Sequence, residues 1–254
     1  MSGVAIERHG RLAVLRLDKP RGNAIDEPLV EALARAAAEL AADDGVRGVL
    51  LASGHPKLFC PGLDLVALAE YDRASMKRFM ESFAVAVGGL YGLPKPVVAA
   101  VSGAAVAGGC ILALTADHRV LKRGAPIGLN EVKVGVPLPW SVTRLLRATV
   151  HPPALSRVAL LGRNFTDAEA VELGLADEVA EPDGFEATCR TRLEEYADKD
   201  PHALAATKAW FREGVLGEMM SQESERVGVF LDAWFSAATQ ERIRAIVASL
   251  LSRS

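Results

Sequence analysis

The sequence predicts an α/β fold in which strands alternate with helices in layers, closed by a helical C-terminal quarter. Three observations predict it. VRGVLLAS (Val46 to Ser53) and PVVAAVS (Pro96 to Ser102) are short apolar runs, the pattern of strands buried on both faces of a parallel sheet, and HRVLK (His118 to Lys122) is a third of that type. Stretches with helical periodicity separate these runs. From about residue 184 onward the pattern is helical, with no further strand.

Each element has a local reason. VAIERHGRLAVLRL (Val4 to Leu17) reads as a hairpin turning at His9-Gly10. Asp26 can cap the next helix, Pro28 sits in its first turn, and Leu29, Leu33, Ala37 and Leu40 share one face. A further helix is predicted over roughly 73–90, and Pro94 and Pro96 set the start of the strand that follows. GGCILALTAD is a short helix. In TDAEAVELG, Thr166 followed by Glu169 predicts a capping box, and Gly174 a stop. LADEVA reads as a short strand, and PHALAATKAW and WFSAATQERIRAIVASLL as helices. There is no internal repeat.

Composition narrows the function. The chain has 254 residues with a formal net charge of −3 and both signs interspersed, so no basic field argues for nucleic acid. No run reaches the roughly 18 apolar residues of a membrane span, and the first residues lack a signal-peptide core. The three cysteines, Cys60, Cys110 and Cys189, are scattered without metal-ligand spacing. Neither a disulfide framework nor a metal site is expected, and a cytoplasmic setting is the default.

GAAVAGGCI (Gly103 to Ile111) carries the functional signal, since a strand that breaks into glycines before a helix points backbone N–H groups at something negative. A dinucleotide site would place an acidic residue near the end of the next strand, where Lys122-Arg123 stands. A P-loop needs Lys after the last glycine, and Cys110 is there. An oxyanion hole needs two converging donors. Gly108 offers one, and LFCPGLDL offers a second at Leu63, after the Pro61-Gly62 turn. From pattern alone, both stretches are equally simple strand-to-helix turns.

Together, DKPRGNAID, FCPGLDL, KPVVAAVSGAAVAGGCILALTADHRV and IGLNEVKVGVPLP resemble, in order and spacing over about residues 5–185, the crotonase (enoyl-CoA hydratase/isomerase) superfamily. The resemblance implies a spiral of repeated ββα turns with a C-terminal helical trimerisation region, here 1–200 as an acyl-CoA-binding core and 201–254 as the helical region. It implies an acyl-CoA thioester substrate, no separate cofactor because coenzyme A belongs to the substrate, and a homotrimer or hexamer. The Leu63 and Gly108 amides would hold a thioester enolate. Glu131 would be the catalytic carboxylate, while the position of the hydratases' other glutamate holds Ile111.

One carboxylate suffices to move a proton between carbons 2 and 4, so the resemblance is closest in motif to 3-enoyl-CoA to 2-enoyl-CoA isomerases. Hydration, another enolate reaction, and a silent acyl-CoA binder stay open. From the residues alone, Glu131 is equally a solvent-facing group among Ile127, Leu129, Val132 and Val134. By resemblance Ala24 and Ile25 flank the adenine side, with Asp64 and Leu65 beside the first loop. Asp64 also suits a helix cap. Val66 replaces a basic residue, leaving Lys57, Arg21 or a C-terminal side chain for the CoA phosphates. Val136, Leu138 and Trp140 line the acyl end or are plain core. Cys60 is a nucleophile or packing; Cys110 is a small residue in a tight turn. Ile243, Ile246, Val247 and Leu250 form one helix face, for an oligomer interface or for covering the core.

Overall fold

The structure is a computed structural model that describes residues 3–20 and 22–252. Strands β1 (Val4–His9) and β2 (Leu12–Leu17) form the expected antiparallel hairpin, turning through Gly10 at φ +63°. Helix α1 (Glu27–Ala42) begins where Asp26 accepts from the Leu29 amide. The chain then takes a strand in one layer and a very short strand in a second layer before each helical stretch. β3 (Gly48–Ser53) and β4 (Leu58–Cys60) lead into α2 (Leu65–Leu68) and α3 (Arg73–Tyr91). β5 (Val97–Val101) and β6 (Ala104–Val106) lead into α4 (Gly108–Leu114). β7 (His118–Lys122) and β8 (Ile127–Gly128) lead into α5 (Glu131–Val134) and α6 (Trp140–Thr149).

After these three passes come α7 (Leu155–Leu160), β9 (Asn164–Phe165), α8 (Asp167–Glu172), β10 (Glu178–Ala180), α9 (Phe185–Ala197), α10 (Pro201–Trp234) and α11 (Ala237–Leu251). The larger sheet runs β1-β2-β3-β5-β7-β10, parallel from β2 onward, and the smaller β4-β6-β8-β9. This is the ββα spiral that the resemblance implied. The smaller sheet is absent from the periodicity reading because its strands have two or three residues, too few to show alternation.

Why β5 is apolar throughout is now plain. Val97, Ala99 and Val101 pack into the core with α1 and α3, whereas Val98 and Ala100 meet Phe185, Cys189 and Leu193 of α9 on the opposite face. The C-terminal helices share the first of these cores through Met219, Phe230, Trp234 and Ile243. α10 is pinned to it by a buried ionic cluster: Lys208 Nζ and Arg212 Nη2 each donate to Asp117, both at 2.6 Å. Burial pulls the Lys208 ammonium down to about 8, with Asp117 opposing.

One cap differs from expectation. Thr166 makes no side-chain cap bond, and Glu169 instead pairs with Arg157 and Arg163. The helix entry is held by Asp167, at φ +48°, whose Oδ1 accepts from the Gly124 amide at 2.7 Å. Gly174 ends α8 at φ +80°, as predicted.

Candidate functional site

The FCPGLDL loop is held against the PRGNAID segment by backbone pairing. The Ile25 amide donates to the Gly62 carbonyl and the Asp64 amide to the Ile25 carbonyl, both at 2.8 Å. This short parallel bridge turns the Leu63 N–H away from Ile25. Asn23 secures the segment from inside: fully buried at φ +67°, it donates through Nδ2 to Ser53 Oγ at 2.9 Å and to the Phe59 carbonyl at 3.0 Å. Lys19 Nζ ties the two segments together, reaching the Ala24 carbonyl at 2.6 Å, Asp26 at 2.8 Å and Asp64 at 3.3 Å.

The second loop meets the first almost without side chains. A Cβ on Gly62 would lie 3.3 Å from the Gly108 nitrogen, and one on Gly109 would lie 2.0 Å from the Cys60 carbonyl oxygen. Only glycine permits this approach. Ala107 turns the chain into α4 at φ +50° and ψ −119°, a strained conformation for a residue with a Cβ. Among the described residues, neither the Leu63 nor the Gly108 amide donates to a protein acceptor. Both residues line a cavity of about 580 Å3.

Glu131 enters the same cavity from the first position of α5. The residue is half-buried, but its Oε2 is out of solvent with no hydrogen-bond partner. Burial raises its carboxyl to about 7, only weakly opposed by the backbone N–H groups of residues 131 and 130. The solvent-facing strand alternative is thereby corrected: residue 131 opens a helical turn, and its carboxyl points inward. Ile111 forms apolar wall beside it. Asp64 also lines the cavity but is engaged, capping α2 through the Ala67 amide at 3.2 Å and pairing with Lys19. Burial lifts the Cys60 thiol to about 12, and its Sγ donates to the Asn23 carbonyl at 3.2 Å. That is a packed thiol, and Cys110, pushed up by burial and by Glu131, is another.

Of the residues singled out in sequence, Ala24, Leu63, Asp64, Leu65, Gly108, Glu131 and Val136 line one cavity. Ile25 does not. It lies fully buried behind the loops, its Cδ1 occupying the space a Cβ on Gly108 would need, at 2.7 Å. Leu138 packs against the core instead of lining the cavity. Trp140 also lies outside the lining, because its ring is sandwiched between the Arg144 and Arg226 guanidiniums at 4.0 and 3.9 Å and its Nε1 donates to the Glu218 carbonyl. Arg21 lies outside the described residues. The apolar wall that sequence reasoning missed comes from Met80 and Phe83 of α3, Phe230 and Trp234 of α10, and Ile246 and Leu250 of α11. The helix face of Ile246 and Leu250 was visible as periodicity; what it covers was not.

Comparisons with known proteins bear on the family and the fold. Residues 7–247 match the family model described as Enoyl-CoA hydratase/isomerase. Enoyl-CoA delta isomerase 1, mitochondrial, of Homo sapiens is 29% identical over 222 residues, covering 87% of this chain and 74% of that one. A probable enoyl-CoA hydratase, EchA17, of Mycobacterium tuberculosis is 36% identical over 204 residues, covering 78% and 76%. The crystal structure of human mitochondrial delta3-delta2-enoyl-CoA isomerase superposes with a TM-score of 0.94 at 27% identity, covering 99% of each chain.

Proposed function

The chain belongs to the enoyl-CoA hydratase/isomerase family, and we propose that within it the protein shifts the double bond of a 3-enoyl-CoA to position 2. In this reading the thioester oxygen accepts from the Leu63 and Gly108 amides. The Glu131 carboxylate removes a proton from carbon 2, and the electrons move into the carbonyl to give an enolate. The Glu131 carboxyl then returns that proton to carbon 4 as the double bond re-forms between carbons 2 and 3. Nothing is oxidised or reduced, so the reaction calls for no cofactor beyond the coenzyme A of the substrate.

One observation carries the reading: among the described residues, a carboxyl whose Oε2 is buried without a partner lines an apolar cavity together with two open amides. A carboxyl near 7 is divided between base and acid at neutral pH, which suits a group that must take and return one proton. Hydration needs a second group to handle water. Asp64, the other carboxylate in the lining, is held by Lys19 and by its helix, and Ile111 brings no proton-transfer group. The similarity to proteins named as isomerases points the same way.

Following 3-enoyl-CoA conversion in Glu131→Gln is the direct test. Turnover falls by roughly 100-fold or more while acyl-CoA affinity persists; near-wild-type turnover refutes the assignment. Appearance of 3-hydroxyacyl-CoA from 2-enoyl-CoA, at a rate matching isomerisation, favours hydration. The proposed assembly is a trimer or dimer of trimers, supported by the exposed Trp210 and Phe211 on α10, and light scattering in solution decides it. The proposed setting is cytoplasmic, supported by three buried free thiols. Among the described residues no helix is long and apolar enough to cross a membrane.

A further inference from the structure

We propose that Thr239, in the first turn of the C-terminal helix, is a positioning residue for Glu131: it grips the far end of the one-turn helix that presents the carboxyl to the cavity. The inference rests on the reading of Glu131 as the proton carrier. α5 has four residues, too few to hold its own shape. Its start has no side-chain cap, although Asn130 is a residue type suited to that role. Its end is held twice. The Gly135 and Val136 amides donate to the Glu131 carbonyl at 3.0 and 3.2 Å, and Thr239 Oγ1 donates to the Gly135 carbonyl at 3.1 Å.

The contact is closely fitted. Gly135 closes α5 at φ +101°, and a Cβ there would lie 2.7 Å from both Thr239 Oγ1 and Arg242 Nη1. Glycine at 135 therefore serves the turn and also lets α11 approach. Thr239 is itself buried, at 2% exposure, and its amide donates to Ser236 Oγ, the cap of α11. It is a rigid anchor. Further along, the same helix supplies Ile246, Leu250 and Leu251 to the cavity wall. α11 thus sets the base and part of the acyl wall as one body. The titratable or charged groups around α5 include Cys110 on α4, Lys133 on α5 and Glu241, Arg242 and Arg244 on α11, and His55 and Asp64 line the same cavity as Glu131.

Thr239→Val keeps the shape of the side chain and removes the donor. It lowers kcat for 3-enoyl-CoA isomerisation by roughly 10- to 100-fold, with KM within about twofold. Thr239→Ser, which keeps the hydroxyl, restores kcat. Infrared difference titration of the Glu131 carboxyl, identified by its loss in Glu131→Gln, shows a shifted midpoint in Thr239→Val and the wild-type midpoint in Thr239→Ser. Should the valine variant not fold, Thr239→Ala takes the same measurements. An unchanged kcat and midpoint in the folded variant overturn the proposal. So does equal damage to Thr239→Ser with kcat and KM moving together, which marks a structural role. If the wild type fails to turn over 3-enoyl-CoA, the proposed function falls, and the carboxyl titration still decides the role of Thr239.

Discussion

The two sides of the cavity are built on opposite plans. The side formed by residues 24–25, 61–66 and 106–111 offers backbone N–H groups, and it is braced by backbone bonds, glycine contacts and one strained residue, Ala107. The side formed by α5 and the C-terminal helices offers one carboxyl, and it is braced by side chains that arrive from 100 residues away, Thr239 among them. A backbone donor depends little on the side chain it belongs to, so the donor at position 63 can come from any residue but proline, whereas 62 and 109 call for glycine. A carboxyl is one side chain whose chemistry is set by burial, so the second side depends on what covers it.

Breaking the backbone side has the largest expected effect. Gly108→Ala sets a Cβ 2.7 Å from Ile25 Cδ1, the far end of a flexible side chain, so the protein folds while the amide shifts. Isomerase kcat falls by about 100- to 1,000-fold, with CoA-thioester binding retained. Steady-state kinetics alongside direct titration of a saturated acyl-CoA check this; a kcat within tenfold of wild type means that the Gly108 amide does not bear the charge.

The carboxyl side makes a prediction of opposite sign for stability. The folded Glu131 carboxyl sits at about 7, against an ordinary 4.5, so between those values the native state holds more protons than the unfolded chain. Stability from this group is therefore present below about 4.5 and lost as pH rises through 7. Glu131→Gln removes the titration, so denaturant melts at pH 8 show it to be more stable than wild type by up to about 3 kcal/mol, with the gain absent at pH 4. In the wild type, kcat/KM rises about tenfold per pH unit below 7 and levels above it. A flat stability difference between the two pH values would place the carboxyl in solvent.

The smallest effect belongs to Ala107. Glycine there accepts φ +50° and ψ −119° without strain, so Ala107→Gly gains roughly 1 kcal/mol in the same melts, less the entropy of a looser unfolded chain. A loss of more than 1 kcal/mol would mean that the Ala107 methyl is needed for packing against Gly62.

Much of the backbone side was legible in sequence. Pro61-Gly62 and Gly108-Gly109 announce tight turns after strands, and Asp26 and Asp64 announce helix starts, because these roles depend on a residue's own φ/ψ preferences and on neighbours three positions away. Lys19 and Asn23 gave no such signal. Beyond the nearby Ala24 carbonyl and Asp26, their partners Asp64, Ser53 and the Phe59 carbonyl lie 30 or more residues along the chain. The misassigned Trp140 shows the same limit: two guanidiniums, Arg144 and Arg226, claim its ring, and the second comes from α10. The resemblance places Ile25 beside Ala24 on the adenine side, but alternation along the extended segment sends its side chain to the other face, where it is fully buried.

By itself the sequence determined the alternation of the larger sheet's strands with helices and the two glycine turns, which follow from short-range sterics and apolar patterning, while the choice of Glu131 came only from the family resemblance. Only the tertiary structure decided that Leu63 and Gly108 open onto one cavity, that Glu131 is desolvated there, and that α10 and α11 close its apolar wall. Desolvation and convergence are properties of what packs around a group, and the covering groups come from segments that no local pattern connects.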